Sequence, residues 1–214
     1  KQEEILEILS TNEDAIFEIN QLKKNLSIFL KLLIKNKLIK IEGEKSKISD
    51  LITSFSIKGK IKKSDFKKNG IFPIIDQSKK FIAGYCDDES YVNKIKNPIV
   101  IFGDHTRCLK YIDFDFAVGA DGVKILNPIK DLNAKFFYYS LLKLELPNLG
   151  YSRHSKYLKE DSIKVPILNY QLKLNYYFDH IQELIDSLDS KLNTHFKIRN
   201  QCISKFFNTI NGEI

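Results

Sequence analysis

The sequence of 214 residues has no methionine, no tryptophan and no long apolar run. Lys, Asn or Asp interrupts every hydrophobic stretch within a few residues, so we expect no membrane-spanning segment. The cysteines Cys86, Cys108 and Cys202 are far apart, which argues against a disulfide framework or a zinc site and favours a cytoplasmic location. Because residue 1 is not Met, we expect a piece of a longer chain.

Motifs of common catalytic sites are also missing. We find no phosphate-binding glycine loop, no paired-cysteine or His-Glu-His metal spacing and no nucleophile elbow. Asp104 with His105, or Arg153 with His154, could be imagined as acid–base dyads, but the other residues of such sites are absent. A methyltransferase would need alternating strand and helix units, which the sequence lacks. We predict a non-catalytic protein with no cofactor and no metal.

The composition that is present supports a folded, basic protein. Hydrophobic residues make up 43% of the chain, enough to bury a core, and the formal net charge is +7. Excess positive charge favours a polyanionic partner, because lysines on phosphates release condensed counterions. A merely solvated basic surface explains the charge equally well, since the whole chain is rich in Lys, Ile and Asn.

Residues 1 to about 40 are predicted to form one long helix. No Pro or Gly interrupts the segment, and at 1.5 Å per residue it would be roughly 60 Å long. Its apolar stripe follows the three- and four-residue steps of a coiled-coil seam. A polar residue in the seam, Asn12, would fix the pairing at some cost in stability. The predicted seam is Ile5, Ile8, Asn12, Ala15, Ile19, Leu22, Leu26, Phe29 and Leu33.

A second long helix is predicted at the other end, after Pro166 and up to Gly212. Its heptad positions are Phe178, Ile181, Ile185, Leu188 and Leu192, resumed after a four-residue shift by Phe196, Ile203 and Phe207. Because a separate domain lies between the two helices in the sequence, the simplest arrangement pairs them antiparallel.

The middle of the chain has the short apolar runs and Gly and Pro turns of a globular domain. The predicted class is therefore α+β: a mixed α/β domain with short strands, plus two long helices in an antiparallel coiled coil. Predicted boundaries are 1–41 for the first helix, 42–169 for the domain and 170–211 for the second helix. The predicted strands are Phe72–Asp76, Lys80–Ala83, Ile99–Phe102, Phe116–Val118 and Val123–Leu126, with a buried helix at Ala134–Leu144.

Three segments of this domain concentrate polar residues. In Val100–Arg107 (VIFGDHTR) a buried strand leads into Gly and four polar side chains, although a tight turn capped by Asp104 and Thr106 would look the same. In Phe116–Leu126 (FAVGADGVKIL) two glycines predict a tight hairpin, with Asp121 as a turn residue. Tyr151–Lys159 (YSRHSKYLK) interleaves basic, hydroxyl and aromatic groups, which suits nucleic acid, although a helix start with incidental charge is the alternative.

These three segments, preceded by Phe72–Gln77 (FPIIDQ), resemble in this order the target-recognition domain of type I restriction-modification specificity subunits. The flanking helices resemble the conserved regions of that family. The resemblance implies a subunit that reads a bipartite target on double-stranded DNA, for methylation by modification (methyltransferase) subunits and cleavage by restriction/translocase subunits.

The family carries two recognition domains, whereas this chain has one. It therefore resembles the second, C-terminal half of a specificity subunit, or else a half-length form that dimerises with itself through the helices. The same module occurs in fused type II restriction-modification enzymes, which is an alternative. Another is a helical-rod scaffold that binds protein and no DNA.

We expect the loops around 77–80, 104–107 and 152–156 to form one DNA-facing surface, because they combine positive charge with loop positions. Arg107 and Arg153 are the strongest candidates for base or phosphate contacts. The GDHTR cluster has an alternative role, which is to brace the domain internally. The candidate DNA-binding residues are Gln77, Ser78, Lys79, Lys80, His105, Thr106, Arg107, Ser152, Arg153, His154 and Lys156.

Overall fold

The computed structural model describes residues 2–119, 122–147 and 153–210, without the side chains of the last two. The chain forms two compact units. Unit 1 contains the residues up to Asn36 and those from Tyr176 onward, and unit 2 runs from Lys37 to Asn175. No helix in the described part has both the length and the hydrophobicity needed to cross a membrane.

In the described chain, two long helices flank a segment of short strands and two short helices. The helices are α1 (Gln2–Ile39), α2 (Ala134–Leu142), α3 (Ser155–Glu160) and α4 (Leu168–Ile210). The strands are β1 (Glu44–Lys47), β2 (Ile52–Thr53), β3 (Lys60–Ile61), β4 (Phe72–Ile75), β5 (Gly84–Cys86), β6 (Val92–Asn93), β7 (Ile99–Gly103), β8 (Leu109–Ile112), β9 (Phe116–Gly119), β10 (Val123–Pro128) and β11 (Ser162–Val165).

Unit 1 is an antiparallel pair of helices, as predicted. Asn12 on α1 donates its amide to the carbonyl of His195 on α4 (3.1 Å), and its amide oxygen lies 2.7 Å from His195 Nδ1. Further along, Lys23 forms an ion pair with Asp189. Because residue numbers rise on one helix as they fall on the other, the two chains run in opposite directions. Asn12 thus makes the buried polar pairing that its seam position predicts.

The seam of α1 differs from the prediction at three of its nine positions. Ile8, Leu22 and Phe29 are each about half exposed, whereas the residue that follows each of them is more buried: Leu9, Lys23 and Leu30. The prediction was wrong at these three positions because two adjacent residues often fit the heptad equally well. At 22 and 23 the structure places the lysine inward, where it reaches Asp189, and the leucine outward.

The seam of α4 confirms the first predicted stretch and corrects the second. Phe178, Ile185, Leu188 and Leu192 are buried. Beyond them the heptad continues without the predicted four-residue shift, through the half-buried His195, Arg199, Cys202 and Phe206. Of the three residues predicted for the shifted seam, Phe196 is half-buried, whereas Ile203 and Phe207 are exposed. The sequence pattern seemed to break because polar side chains occupy the seam: His195 pairs with Asn12, and Arg199 lies 3.8 Å from Glu13.

The described residues of unit 2 form three sheets. The largest has the order β3-β9-β4-β5, with β6 also paired to β9, and β3, β9 and β4 are parallel to one another. The second has the order β2-β10-β7-β8 and its strands are antiparallel, while β1 and β11 form a small antiparallel pair.

The core of unit 2 lies between the two larger sheets and under α2. Every residue of β7 is buried, and α2 contacts β7, β8 and β10. Asn133 caps α2, because its side chain accepts hydrogen bonds from the amides of Lys135 and Phe136. The buried side chains that join the two sheets are Ile75, Ile99, Ile101, Ile112, Phe116, Val118 and Val123.

Most predicted strands are confirmed, and two expectations were wrong. Lys80–Ala83 is not a strand: the chain bends through 77–82, and the strand begins at Gly84. Nor do β9 and β10 form a hairpin, because β9 pairs within the five-stranded sheet and β10 within the four-stranded one. The glycines of this segment mark a crossing between sheets. Its residues Ala120 and Asp121 lie outside the described part of the chain.

The start of α4 is bound to the rest of unit 2 by a buried glutamine. Gln171 accepts from the Asn133 amide (2.8 Å) and donates to the carbonyls of Asp131 (3.1 Å) and Pro166 (2.8 Å). It is 1% exposed. Asn175 adds a bond to the Asn133 side chain (2.8 Å). The first two turns of the helix therefore belong to unit 2.

Candidate nucleic-acid interface

Several strands end at the same edge of unit 2. The parallel strands β4 and β9 both end there, and so does β7, since Gly103 pairs with Val123 at the start of β10. The segments that leave these strands meet at this edge, together with the start of α3. We call it the loop edge: residues 76–80, 103–107, 122–124 and 153–156.

The two ends of the 76–80 loop are bonded to one buried lysine side chain. Lys110 is 4% exposed, and its ammonium donates to the carbonyls of Asp76 (2.7 Å) and Lys80 (2.6 Å). Burial lowers the pKa of Lys110, and the nearby Asp76 carboxylate opposes that shift. Because the loop backbone turns inward to this ammonium, the side chains of Lys79 and Lys80 are left exposed.

The 103–107 loop packs closely on Gln77. The Gln77 side chain accepts a hydrogen bond from the His105 amide (3.2 Å), and its carbonyl accepts one from the Thr106 hydroxyl (2.5 Å). Any side chain at Gly103 would overlap Thr106, so glycine is required there. Arg107 adopts a positive φ of 60°, and its guanidinium donates to the Leu146 carbonyl (3.2 Å). The loop is thus braced at both ends.

Asp104 connects the same loop to the start of α3. It is 2% exposed, and its carboxylate accepts from the Ser155 amide (2.8 Å). Its carbonyl accepts from the His154 amide (3.0 Å) and lies 2.9 Å from His154 Nδ1. Its own amide donates to the carbonyl of Gly122 (2.7 Å). One residue therefore joins three segments of the loop edge.

The charge of Asp104 is stabilised where it lies. Burial raises the pKa of its carboxyl, but the amide and hydroxyl of Ser155 and the ammonium of Lys124 outweigh that effect, so the pKa is lowered overall. Lys124 Nζ is 3.7 Å from the carboxylate. The carboxylate is consequently turned to internal donors and away from solvent.

The structure brings the three predicted loops together and divides their described residues into exposed, half-buried and buried ones. Lys79, Lys80, Arg153 and Lys156 are exposed cations on the loop edge, and Thr106 is exposed as a residue, although its hydroxyl is bonded to the Gln77 carbonyl. The half-buried members are Gln77, Ser78, His105 and Arg107. His154 is fully buried, so in this fold it braces the loop instead of facing solvent. Ser152 lies outside the described residues.

Comparison with known proteins gives a limited sequence match and an extensive structural one. No protein-family model matches the chain. Over 84 residues, 38% of this chain, it is 30% identical to the type I restriction enzyme EcoR124I/EcoR124II specificity subunit of Escherichia coli. The matched stretch is 21% of that protein, so the chain matches about a fifth of the relative's length.

Solved structures match almost the whole chain. The crystal structure of the HsdS subunit from Thermoanaerobacter tengcongensis matches 99% of it with a TM-score of 0.55 at 14% identity. The type I restriction-modification S subunit from M. genitalium matches 96% with a TM-score of 0.65 at 16% identity. The fold is that of a type I specificity subunit. The chain spans 57% and 58% of those two structures.

On this specificity-subunit fold, the sequence did not reveal which residues brace the loop edge. Lys110 gave no signal, because a lysine within a strand looks like a solvated one until its burial is known. For Asp104 the sequence left two roles open, a turn cap or part of an internal brace formed by the GDHTR cluster, and the structure shows the brace. Nor does the sequence distinguish Lys62 and Lys63 from other lysines, although they are exposed and follow a strand that ends at the same edge.

Proposed function

We propose that the chain is the DNA-reading part of a type I specificity subunit, which binds one half of a bipartite target and has no catalytic site of its own. The observation that carries the proposal is the loop edge. It presents five exposed cations, four of them on braced loops and the fifth, Lys124, at the start of β10, in a fold shared with specificity subunits. Braced loops favour sequence reading, because base contacts require side chains held in one geometry.

The roles within the loop edge follow from exposure and chemistry. Arg153 is the candidate for base recognition, since a guanidinium can donate two hydrogen bonds to one guanine. Lys79, Lys80 and Lys156 suit phosphates, which fix the position of the duplex without reading it. Arg107 is half-buried and already bonded to Leu146, so it has less freedom to reach DNA.

We also propose that unit 1 docks a modification subunit. Leu22, Ile28, Phe29 and Leu32 lie on one outward face of α1, where each is 48–54% exposed. An apolar patch on a helix surface is costly unless a partner covers it. A structure of similar fold comes from work on complex assembly of the type I restriction-modification system, which gives the partner its class. Restriction subunits would join through that assembly.

Selection from a pool of randomised duplexes tests the DNA proposal. We expect the chain to enrich one short DNA motif. If Arg153 reads a base, Arg153→Ala should weaken the binding free energy for that motif by about 1–3 kcal/mol, relative to its effect on unselected DNA. Lys159→Ala, which removes an exposed charge from the last turn of α3, is the matched control and should leave the preference unchanged.

Failure to enrich any motif over a range of salt concentrations would contradict sequence reading. Duplex binding that is weak and insensitive to salt would favour the alternative of a protein-binding scaffold, because contacts with phosphates must weaken as salt rises. An equal loss for Arg153→Ala on all sequences would assign that residue to a phosphate.

A further inference from the structure

Lys62 and Lys63 lie at the same end of unit 2 as the loop edge. They follow β3, which pairs in parallel with β9 through Lys60 opposite Val118 and Ile61 opposite Gly119. On the other side of β9, β4 also runs parallel, and it ends at Ile75. Because parallel strands end at the same edge of a sheet, the chain after β3 emerges beside the 76–80 loop.

The packing of Phe66 agrees with this placement. A side chain added at Gly119 would lie 2.6 Å from the Phe66 ring and 3.2 Å from Asp76 Cβ, so both residues reach the same glycine. The turn after β3 is therefore folded against the end of β9. Neighbouring strands lie about 4.8 Å apart, so the ends of β3 and β4 are separated by roughly 10 Å.

The charges at this end of unit 2 are arranged for an anion. The exposed cations include Lys62, Lys63, Lys79, Lys80, Lys124, Arg153 and Lys156, of which Lys124 lies 3.7 Å from the Asp104 carboxylate. Two described carboxylates, Asp76 and Asp104, accept hydrogen bonds from within unit 2, and Asp65 is exposed. Among the described residues, neither Lys62 nor Lys63 forms an ion pair.

We propose that Lys62 and Lys63 bind backbone phosphates of the same duplex that the loop edge reads. This inference rests on the proposed function and adds a fourth segment to the surface. Duplex DNA carries a negative charge about every 1.7 Å of its axis, so a footprint that covers the loop edge also brings phosphates within reach of residues about 10 Å away. Such contacts hold the duplex and carry no sequence information.

The test is the salt dependence of binding to a random-sequence duplex, measured by fluorescence anisotropy. For Lys62→Ala/Lys63→Ala we expect the slope of log affinity against log salt to become shallower by about 1.8, since each phosphate contact contributes about 0.9. The ratio of the wild-type affinity for the duplex to that of the double variant should then grow roughly tenfold as salt falls from about 200 to about 50 mM. Thermal unfolding should be unchanged, because both side chains are exposed.

Lys58→Ala/Lys96→Ala is the matched control, since it removes two exposed charges from the opposite end of the sheets. The Lys58 amide is bonded to Asn93, which pairs with Phe116 at the start of β9, and Lys96 precedes β7. The control should keep the wild-type slope.

The possible results separate the inference from the proposed function. A wild-type slope in Lys62→Ala/Lys63→Ala, or an equal change in both double variants, would overturn the inference and leave the proposed function standing. A loss restricted to one duplex sequence would replace phosphate binding with base reading. A wild-type chain whose duplex binding is insensitive to salt would overturn both.

Discussion

Asp104 is the residue that connects most of the loop edge. Its carboxylate, carbonyl and amide bond to Ser155, His154 and Gly122, and it is almost fully buried. Losing the carboxylate would leave the Ser155 amide without its acceptor. A buried donor left without a partner costs about 1–3 kcal/mol.

We predict that Asp104→Ala lowers the free energy of unfolding at pH 7 by about 1–3 kcal/mol. The pKa of Asp104 is lowered in the folded state, so its carboxylate contributes stability at pH values above the ordinary aspartate pKa of about 3.9. That contribution disappears as the pH falls through the folded-state pKa. The difference between wild type and variant, measured by urea unfolding, should narrow below about pH 4.

Asp104→Asn is the matched control for this prediction, because it keeps an acceptor for Ser155 but cannot carry charge. At pH 7 its free energy of unfolding should lie between those of the wild type and Asp104→Ala. A difference between wild type and Asp104→Ala that stays constant from neutral to acid pH would show that the carboxylate charge contributes nothing.

At individual residues, the sequence predicted exposure better than burial. Lys79, Lys80, Arg153 and Lys156 are exposed, as expected for charged residues in loops. His154 could not be predicted, because its burial depends on Asp104, which lies 50 positions earlier in the chain. The sequence contains the residues of such a pairing but not the contact that joins them.

Among the elements, the helix pair of unit 1 shows what heptad patterns predict. Helix existence, length and antiparallel pairing followed from the sequence, because long apolar periodicity without Pro or Gly leaves few alternatives. The side of α1 that faces α4 did not, because Ile8 and Leu9 or Phe29 and Leu30 fit equally well. Polar partners such as Asn12 and His195 decide the register, and they look like interruptions in a hydrophobic pattern.

Strand pairing was the least predictable feature of unit 2. Short apolar runs such as β9 and β10 were located correctly, yet they belong to different sheets. Two glycines around two residues are typical of a hairpin and also allow a sharp crossing between sheets. Neighbours in the sequence do not determine which strands exchange hydrogen bonds.

The Asn12–His195 pair gives a prediction at the scale of the helices. In a double-mutant cycle with Asn12→Ala and His195→Ala, we expect a coupling energy of about 1 kcal/mol, because each side chain loses its partner when the other is removed. Urea unfolding followed by helical circular dichroism would measure it. Thr11 bonds only within its own helix, to Glu7, so a cycle of Thr11→Ala with His195→Ala should show no coupling. Equal coupling in both cycles would exclude a specific pair.

At the scale of the whole molecule, the outward face of α1 predicts a partner. We expect Leu22→Glu to weaken binding to the co-expressed modification subunit at least tenfold, because a charge would be buried in an apolar contact. Leu6→Glu is the matched control: Leu6 is also 50% exposed but lies roughly 24 Å away along the helix. Sedimentation of purified mixtures would measure both. Equal binding of the modification subunit by the two variants would contradict docking at this face. If the wild-type chain instead associates with itself, and only Leu22→Glu loses that association, the face would be assigned to a second copy of the chain.

The central claim is that duplex DNA lies against the loop edge of unit 2. Photo-crosslinking tests it most directly, with benzoylphenylalanine in place of Lys79 or of Asn97. Both residues are exposed, but Asn97 precedes the start of β7 at Ile99, which lies roughly 13 Å along the strand from Gly103. We predict strong crosslinks to duplex DNA from position 79, abolished by unlabelled competitor, and none from position 97. Equal crosslinking from both positions, or crosslinking from position 97 alone, would contradict the claim.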